Sequence, residues 1–325
     1  MQKFNRLRIS IESATIYSTS FLVFFLSVLF APMYTGGDQV AYTSAYSAIA
    51  GSDFIAGFVI YKSIIATVEP MHYTVAWLFS SVMAVDKIIA MSVLNGILAI
   101  LFLKVVVRLG GALSIGCFLI LTNFYFLVMF FTAERLKIGF LFLLLVPLLQ
   151  HKPKASYLFY LFSVLSHVQM LLLLIGREFE RFTTAFTKFI KRLKFRVSQI
   201  SYVVLIGFLA LLFLLAFSDY LLWKVPQYMK GFSFLSILKT SLFLFLTLIY
   251  SRDRGGSILI FIPVLVASGL LGSDRVVIMA YSIFFYTAIQ YKGGFNFGIA
   301  LTSLYYGLKS IGFVFNVFNT GQGYS

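Results

Sequence analysis

LSIGCFLILTNFYFLVMFFTAERLKIGFLFLLLVPLL, residues 113–149, is apolar almost throughout and carries charge only at Glu134, Arg135 and Lys137. A helix needs about 20 apolar residues to cross a bilayer, so this stretch is long enough for two passages with a polar break between them. The rest of the chain continues the pattern. Of 325 residues, 60% are hydrophobic and 11% charged, whereas a soluble domain carries roughly 25% charged residues because water meets most of its surface. The expected fold class is an all-α polytopic integral membrane protein, a single transmembrane domain over residues 1–325.

Candidate spans fall at residues 14–33, 70–85, 88–107, 112–131, 137–150, 155–175, 199–217, 232–250, 257–271, 276–291 and 295–316, about eleven in all. Several are short, and Gly, Pro or polar residues interrupt them. Such breaks are tolerated only where protein shields the backbone or a wet cavity meets it. The segment 34–69 is too polar to span and too apolar for a solvated tail, and reads as helix on or dipping into the outer interface. In residues 177–196, Phe179, Phe182, Phe186, Phe189 and Leu193 recur at steps of three and four among Lys188, Lys191, Arg192, Lys194 and Arg196. This is the pattern of a basic amphipathic helix on the anionic cytoplasmic leaflet. Residues 218–231 carry Tyr220, Trp223 and Tyr228, suited to an aromatic belt on the opposite face.

The 26 Lys and Arg against 11 Asp and Glu form no stripe on a soluble module, which argues against nucleic acid as a partner. Basic residues retained in cytoplasmic loops explain the excess. Met1–Arg8 is basic and precedes the apolar run near Phe21–Phe30 without a small-residue cleavage pattern. It reads as an uncleaved first span with the N-terminus in the cytoplasm. Cys117 stands alone in an apolar run, so it makes no intramolecular disulfide and packs as a small hydrophobe. Charges between residues 86 and 154 are nearly balanced and leave the topology there open. A broken or re-entrant helix near 112–137 or 155–176 would let Arg135 and His167 approach the outer face together.

No phosphate-binding loop, dinucleotide fingerprint, nucleophile elbow or zinc-protease motif is present. His72, His151 and His167 lack close ligand spacing, so no metal and no cofactor is expected. What remains are ionisable residues in or beside apolar runs, where a charge costs about 2.5–3.5 kcal/mol at the bilayer centre and usually faces a bundle interior. Five stand out: Arg135, Arg275, His167, Asp38 and Glu69. Four of them also have a plain structural reading. Arg135 fits a short loop paired with Glu134, and Arg275 fits an interfacial turn in Gly272-Ser273-Asp274-Arg275. His167 fits a hydrogen bond between helices, and Glu69 before Pro70 fits a carboxylate at a helix N-terminus.

Taken in order, these residues resemble a known family. Asp38 with Tyr42 and Tyr46 at steps of four, then Glu69-Pro70 opening a span, look like the N-terminal half of EpsG-type proteins, relatives of the Wzy polymerases of bacterial surface polysaccharides. The Arg135 stretch resembles that family's Arg-Gln helix start, with Leu136 in place of the glutamine. Ser166-His167 resembles a family His, and Arg275 with Tyr281 and Phe284-Phe285 a late Arg-aromatic element. The resemblance covers about residues 30 to 290. It implies a GT-C-like, metal-independent glycosyltransferase in the bacterial inner membrane that joins lipid-linked repeats at the periplasmic face. The growing glycan on undecaprenyl diphosphate would be the donor and a lipid-linked repeat the acceptor, with a flippase and a chain-length regulator as partners. Arg135 and Arg275 would clamp the leaving diphosphate and His167, or else Asp38 or Glu69, would take the hydroxyl proton, while Asp38, Glu69, Tyr42 and Tyr46 would contact sugar. Two rivals remain. One is a transporter, either a flippase for lipid-linked sugars or a secondary carrier. The other is a scaffold docking a cytosolic partner through residues 177–196.

Overall fold

A computed structural model describes residues 2–178, 233–271 and 274–323, with side chains from residue 11 onward and without those of residues 272–275. The expected span 199–217, the aromatic segment 218–231 and all but the first two residues of the basic segment 177–196 lie outside the described residues. Every regular element among those described is helical. The chain divides into two compact units, residues 1–170 with 289–325, and residues 171–288.

The first unit contains α1 (Gln2–Phe30), α2 (Asp38–Ile49), α3 (Phe54–Ile65), α4 (Pro70–Trp77), α5 (Lys87–Arg108), α6 (Leu113–Thr122), α7 (Phe124–Phe131), α8 (Glu134–Leu148) and α9 (Pro153–Ser166). The second unit contributes α10 (Phe234–Tyr250), α11 (Arg254–Leu271) and α12 (Asp274–Ala288), and the chain returns to the first with α13 (Phe297–Thr320). In the first unit α5 is central: it packs against α1 on one side and α8 on another, and α8 pairs with α9. In the second, α10 lies against both α11 and α12.

Among the described residues, four helical segments are long and apolar enough to cross a membrane: Ile11–Met33, Lys87–Arg108, Arg254–Leu271 and Lys292–Thr320. The number rises to six if two bent pairs each count as one span. The expected passage at 70–85 is one arm of such a pair. Phe54–Ile65 and Pro70–Val82 meet at 116°, and at about 1.5 Å per residue neither arm alone reaches across some 30 Å of hydrocarbon. The bend follows from Ala66, which takes a left-handed conformation with φ 52°, and from Pro70, which restarts the helix. The expected span 112–131 is likewise two helices meeting at 59° across Asn123. Asn123 has extended backbone and accepts the Tyr125 N–H, capping α7. Helices α8, α9, α10 and α12 have 15, 14, 17 and 15 residues, short of a full straight crossing. The described residues therefore carry four to six apolar helices able to span.

The orientation of side chains shows what solvent this surface meets. On α13, Phe297, Leu304, Leu308 and Phe315 are 73%, 66%, 63% and 63% exposed, while Thr302, Ser303, Tyr306 and Ser310 are buried. On α1, Phe21 and Phe25 face out while Ser20 and Ser27 are buried. Large apolar groups outside and small polar ones between helices is the arrangement for lipid, where helices associate by close packing and hydrogen bonds rather than by hiding oil from water. The inward hydroxyls are used: Ser20 donates to the Gly96 carbonyl at 2.5 Å, Ser310 to that of Thr122 at 2.7 Å, and the Tyr125 and Tyr306 hydroxyls meet at 2.9 Å. Cys117 packs half-buried, its Sγ 3.3 Å from the Thr19 hydroxyl.

Candidate functional site: a buried Arg–Glu–His cluster

Four elements of the first unit bring polar groups to one place, and each does so because its helix begins or ends there. Helix α2 starts at Asp38 and presents Tyr42 and Tyr46 at steps of four on one face. Glu69 precedes α4, α8 starts at Glu134, and α9 stops at Ser166, so that His167 leaves the helix with extended backbone (φ −159°, ψ 121°). Helix ends in an apolar bundle are where polar side chains escape the regular ladder and where irregular backbone is tolerated.

Glu69 is the hub. It sits at the N-terminal cap position of α4 but makes no side-chain cap bond. Instead Oε2 receives Nη1 of Arg135 at 2.8 Å and Oε1 lies 2.7 Å from Nδ1 of His167. Glu69, Arg135 and His167 are 3%, 8% and 4% exposed. Arg135 also donates Nε–H to the Tyr42 hydroxyl at 2.8 Å, and its guanidinium lies 5.8 Å from the Tyr42 ring centre. His167 Nε2 lies 3.1 Å from the Gln169 side-chain amide. Burial raises the Tyr42 phenol above its ordinary value, against the opposing pull of Arg135, so the group stays a neutral hydroxyl.

Arg135 and His167, separated in sequence and each preceded by a helix break, thus converge on one carboxylate. Glu134 does not pair with Arg135. Neighbouring residues on a helix point about 100° apart and do not face one partner, and Glu134 turns to Lys87 at 3.1 Å. Lys87 in turn donates to Gln39 at 2.7 Å and Thr43 at 3.0 Å, which ties α2 to α5. Gln39 donates to the Phe131 carbonyl at 2.8 Å, bridging the break before α8. Tyr46 is buried and donates to the Val85 carbonyl at 2.8 Å. Asp38, half-buried at the start of α2, lies near enough to Tyr42 to help disfavour its phenolate form. Arg275 is in the first turn of α12 in the other unit, and its side chain lies outside the described residues.

Several polar residues of this cluster escaped the sequence reading. Lys137 is fully buried, and its ammonium donates to Asn95 at 2.8 Å and the Phe130 carbonyl at 3.4 Å. Asn95 donates to Ser27 at 3.0 Å. Lys87, Glu134 and Lys137 read as loop charges because they flank a predicted break. A usable signal was the three-residue step from Glu134 to Lys137, which puts both on one side of α8.

The approach of α8 to α9 that delivers His167 depends on Gly139. A Cβ there would meet Met170 Cγ at 2.8 Å and the Ser163 carbonyl oxygen at 3.4 Å, and Ser163 donates to the Gly139 carbonyl at 2.8 Å. Replacing Gly139 by Val is expected to lower stability by roughly 1–3 kcal/mol through overpacking, with Ala milder because the Met170 side chain can turn away. Thermal unfolding of the purified variants checks this, and a Val variant as stable as the parent would remove the close-approach argument.

Compared with family models, with curated proteins and with solved structures, the chain matches none of them.

Proposed function

We propose that the chain is a metal-independent, GT-C-like polysaccharide polymerase of the bacterial inner membrane, with its N-terminus in the cytoplasm. In this reading it transfers a growing glycan from undecaprenyl diphosphate to a lipid-linked repeat unit at the periplasmic face. The observation that carries it is the meeting of Glu69, Arg135 and His167 inside an otherwise apolar bundle. An intramembrane charge cluster is expensive and by default marks a site that handles polar substrate.

Each residue has a chemical task in that reaction. Cleavage of the bond from sugar C1 to the diphosphate oxygen leaves negative charge on the leaving group. A fixed guanidinium in a water-poor site stabilises that charge more in the transition state than in the ground state. Arg135 supplies such a guanidinium. The acceptor hydroxyl loses its proton as its oxygen bonds C1. His167 takes that proton through Nε2 once Gln169 yields to substrate, and Glu69 on Nδ1 fixes the ring and offsets the imidazolium charge. Asp38, with Tyr42 and Tyr46, forms the sugar-facing side.

An apolar cavity of about 690 Å³ between α1, α6, α7 and α13 supports a lipid-linked substrate. Its lining includes Ser27, Phe30, Phe130, Phe131 and Gly307. At Phe131 it reaches the residue whose carbonyl accepts Gln39, four positions before Arg135. This volume and lining suit a polyprenyl chain whose diphosphate lies toward the charged cluster.

The two bent helix pairs favour a second reading, a carrier, because discontinuous helices also build transport sites at the membrane midplane. Purified protein given undecaprenyl-diphosphate-linked repeats without any ion gradient separates the two. Polymers longer than one repeat are the expected product; transfer of the lipid between leaflets with no chain growth would overturn the polymerase.

A further inference from the structure

We infer that the hydroxyl of Ser27 donates a hydrogen bond to a phosphate oxygen of a polyprenyl lipid seated in the apolar cavity between α1, α6, α7 and α13. Lys137 is a fully buried cation that the proposed reaction leaves unused. Two positions on from Arg135 along α8, it points away from it. Its ammonium meets neutral acceptors, Asn95 Oδ1 at 2.8 Å and the Phe130 carbonyl at 3.4 Å. Among the described residues no carboxylate lies within ion-pair distance of Lys137, and Glu134, three residues before it, is turned to Lys87. An ion so placed in an apolar bundle is costly and usually serves a cavity or an interior site.

The hydrogen bonds running from Lys137 have one direction. An ammonium only donates, so the amide oxygen of Asn95 faces it and the amide nitrogen faces away. That nitrogen lies 3.3 Å from the Phe130 carbonyl, which only accepts, and 3.0 Å from Ser27 Oγ. Ser27 is therefore an acceptor on its protein side, and its own proton points elsewhere. Ser166 and Ser310 return theirs to the carbonyl four residues back; among the described residues Ser27 has no such acceptor. Its hydroxyl stands in the wall of the cavity of about 690 Å³, so the proton is offered there. Thr122 and Ser310, also in that wall, are bonded to backbone carbonyls. Ser303 lies in the second turn of α13, toward the end of the bundle where Ala112 bonds Gly293. Ser27 lies toward the other end, where Thr35 bonds Gly321. Leu304, Leu308 and Phe315 of the wall are exposed on the lipid side, which lets an apolar chain enter sideways. The positive charge at the root of the relay polarises it and favours an anionic oxygen at its tip. A lipid phosphate brings both halves, the chain for the cavity and the oxygen for the donor. Lys137 and Asn95 are positioning residues for Ser27. That the lipid is undecaprenyl diphosphate rests on the polymerase reading, whereas the direction of the relay rests on its hydrogen bonds.

The full chain in neutral detergent, titrated with undecaprenyl diphosphate and separately with squalene, an isoprenoid without oxygen, tests this by native mass spectrometry. Ser27→Ala should raise Kd for undecaprenyl diphosphate roughly tenfold, the scale of one hydrogen bond to a charged group, and leave squalene binding unchanged. Asn95→Asp still gives Lys137 an acceptor but has nothing to donate to Ser27, whose proton then turns to the carboxylate. It should weaken the diphosphate at least as much, again sparing squalene. Equal losses for the two ligands, or a Ser27→Ala protein that holds the diphosphate like the parent, would overturn the inference. Phosphatidylglycerol bound as tightly, and with the same dependence on Ser27, would overturn the polyprenyl occupant. Diphosphate binding that depends on Ser27 while no polymer forms from lipid-linked repeats would instead remove the polymerase reading and leave the donor standing.

Discussion

Glu69→Ala is expected to destabilise the protein by on the order of 3–5 kcal/mol, because it leaves Arg135 and His167 buried without their shared counter-charge. Both carboxylate oxygens are occupied, at 2.8 Å by Arg135 and 2.7 Å by His167, and only 3% of Glu69 is exposed, so water cannot replace the lost partner. Tyr42, which also accepts from Arg135, is a neutral hydroxyl and does not balance its charge. The measurement is thermal or denaturant unfolding of the purified variant in detergent, set beside Arg135→Ala and the double variant. Residues sharing one network are non-additive. The double variant should therefore lose clearly less than the two single losses together, since removing both charges also removes the orphan. Strict additivity, or an unfolding midpoint for Glu69→Ala equal to that of the parent, would show that the ion pair is not the buried hub described above.

Arg135→Ala is expected to abolish polymer while single lipid-linked repeats accumulate. The argument is electrostatic. The guanidinium has both Nη1 and Nε committed to fixed acceptors, so its position is set before substrate arrives, and a preoriented cation is worth far more at a developing diphosphate charge than a mobile one. Loss of one such donor typically costs about 10²–10³ in rate. Arg135→Lys keeps the charge but not the fork that grips Tyr42 and Glu69 together, and should recover little activity. Glycan length is read by gel ladder in cells and by chain growth on purified lipid-linked repeats. Ladders of normal length from the alanine variant would sink the catalytic assignment of Arg135, whereas the same variant failing to accumulate at all calls for the lysine form, whose stability should be nearer the parent's.

How much of this was legible in the chain differs from element to element. The apolar runs near 14–33, 88–107, 257–271 and 295–316 declared themselves because lipid as solvent demands some 20 apolar residues in a row, a purely local property. The stretches 34–69, 70–85 and 112–131 were harder. The first reads as interface and the other two as plain spans, while the fold joins Phe54–Ile65 to Pro70–Val82 through Ala66 and Pro70, and breaks the last at Asn123, as bent pairs. The cost of intramembrane charge likewise picked out Arg135, His167 and Glu69 one at a time. Asp53 and Asp86 serve as caps of α3 and α5, roles the sequence reading had not assigned.

The sequence by itself determined that this protein is helical, that lipid is its solvent and that its few buried charges must be accounted for, because hydropathy and the price of burying an ion are properties of each residue and its near neighbours. Only the tertiary structure decided that Glu69 joins Arg135 to His167, that Glu134 turns to Lys87, and that Nε2 of His72 is buried without a hydrogen-bond partner. Partners of 66 and 98 residues' separation are selected by where helices break and how closely α8 and α9 approach at Gly139. Those are packing outcomes of the whole bundle, and no window along the chain contains them.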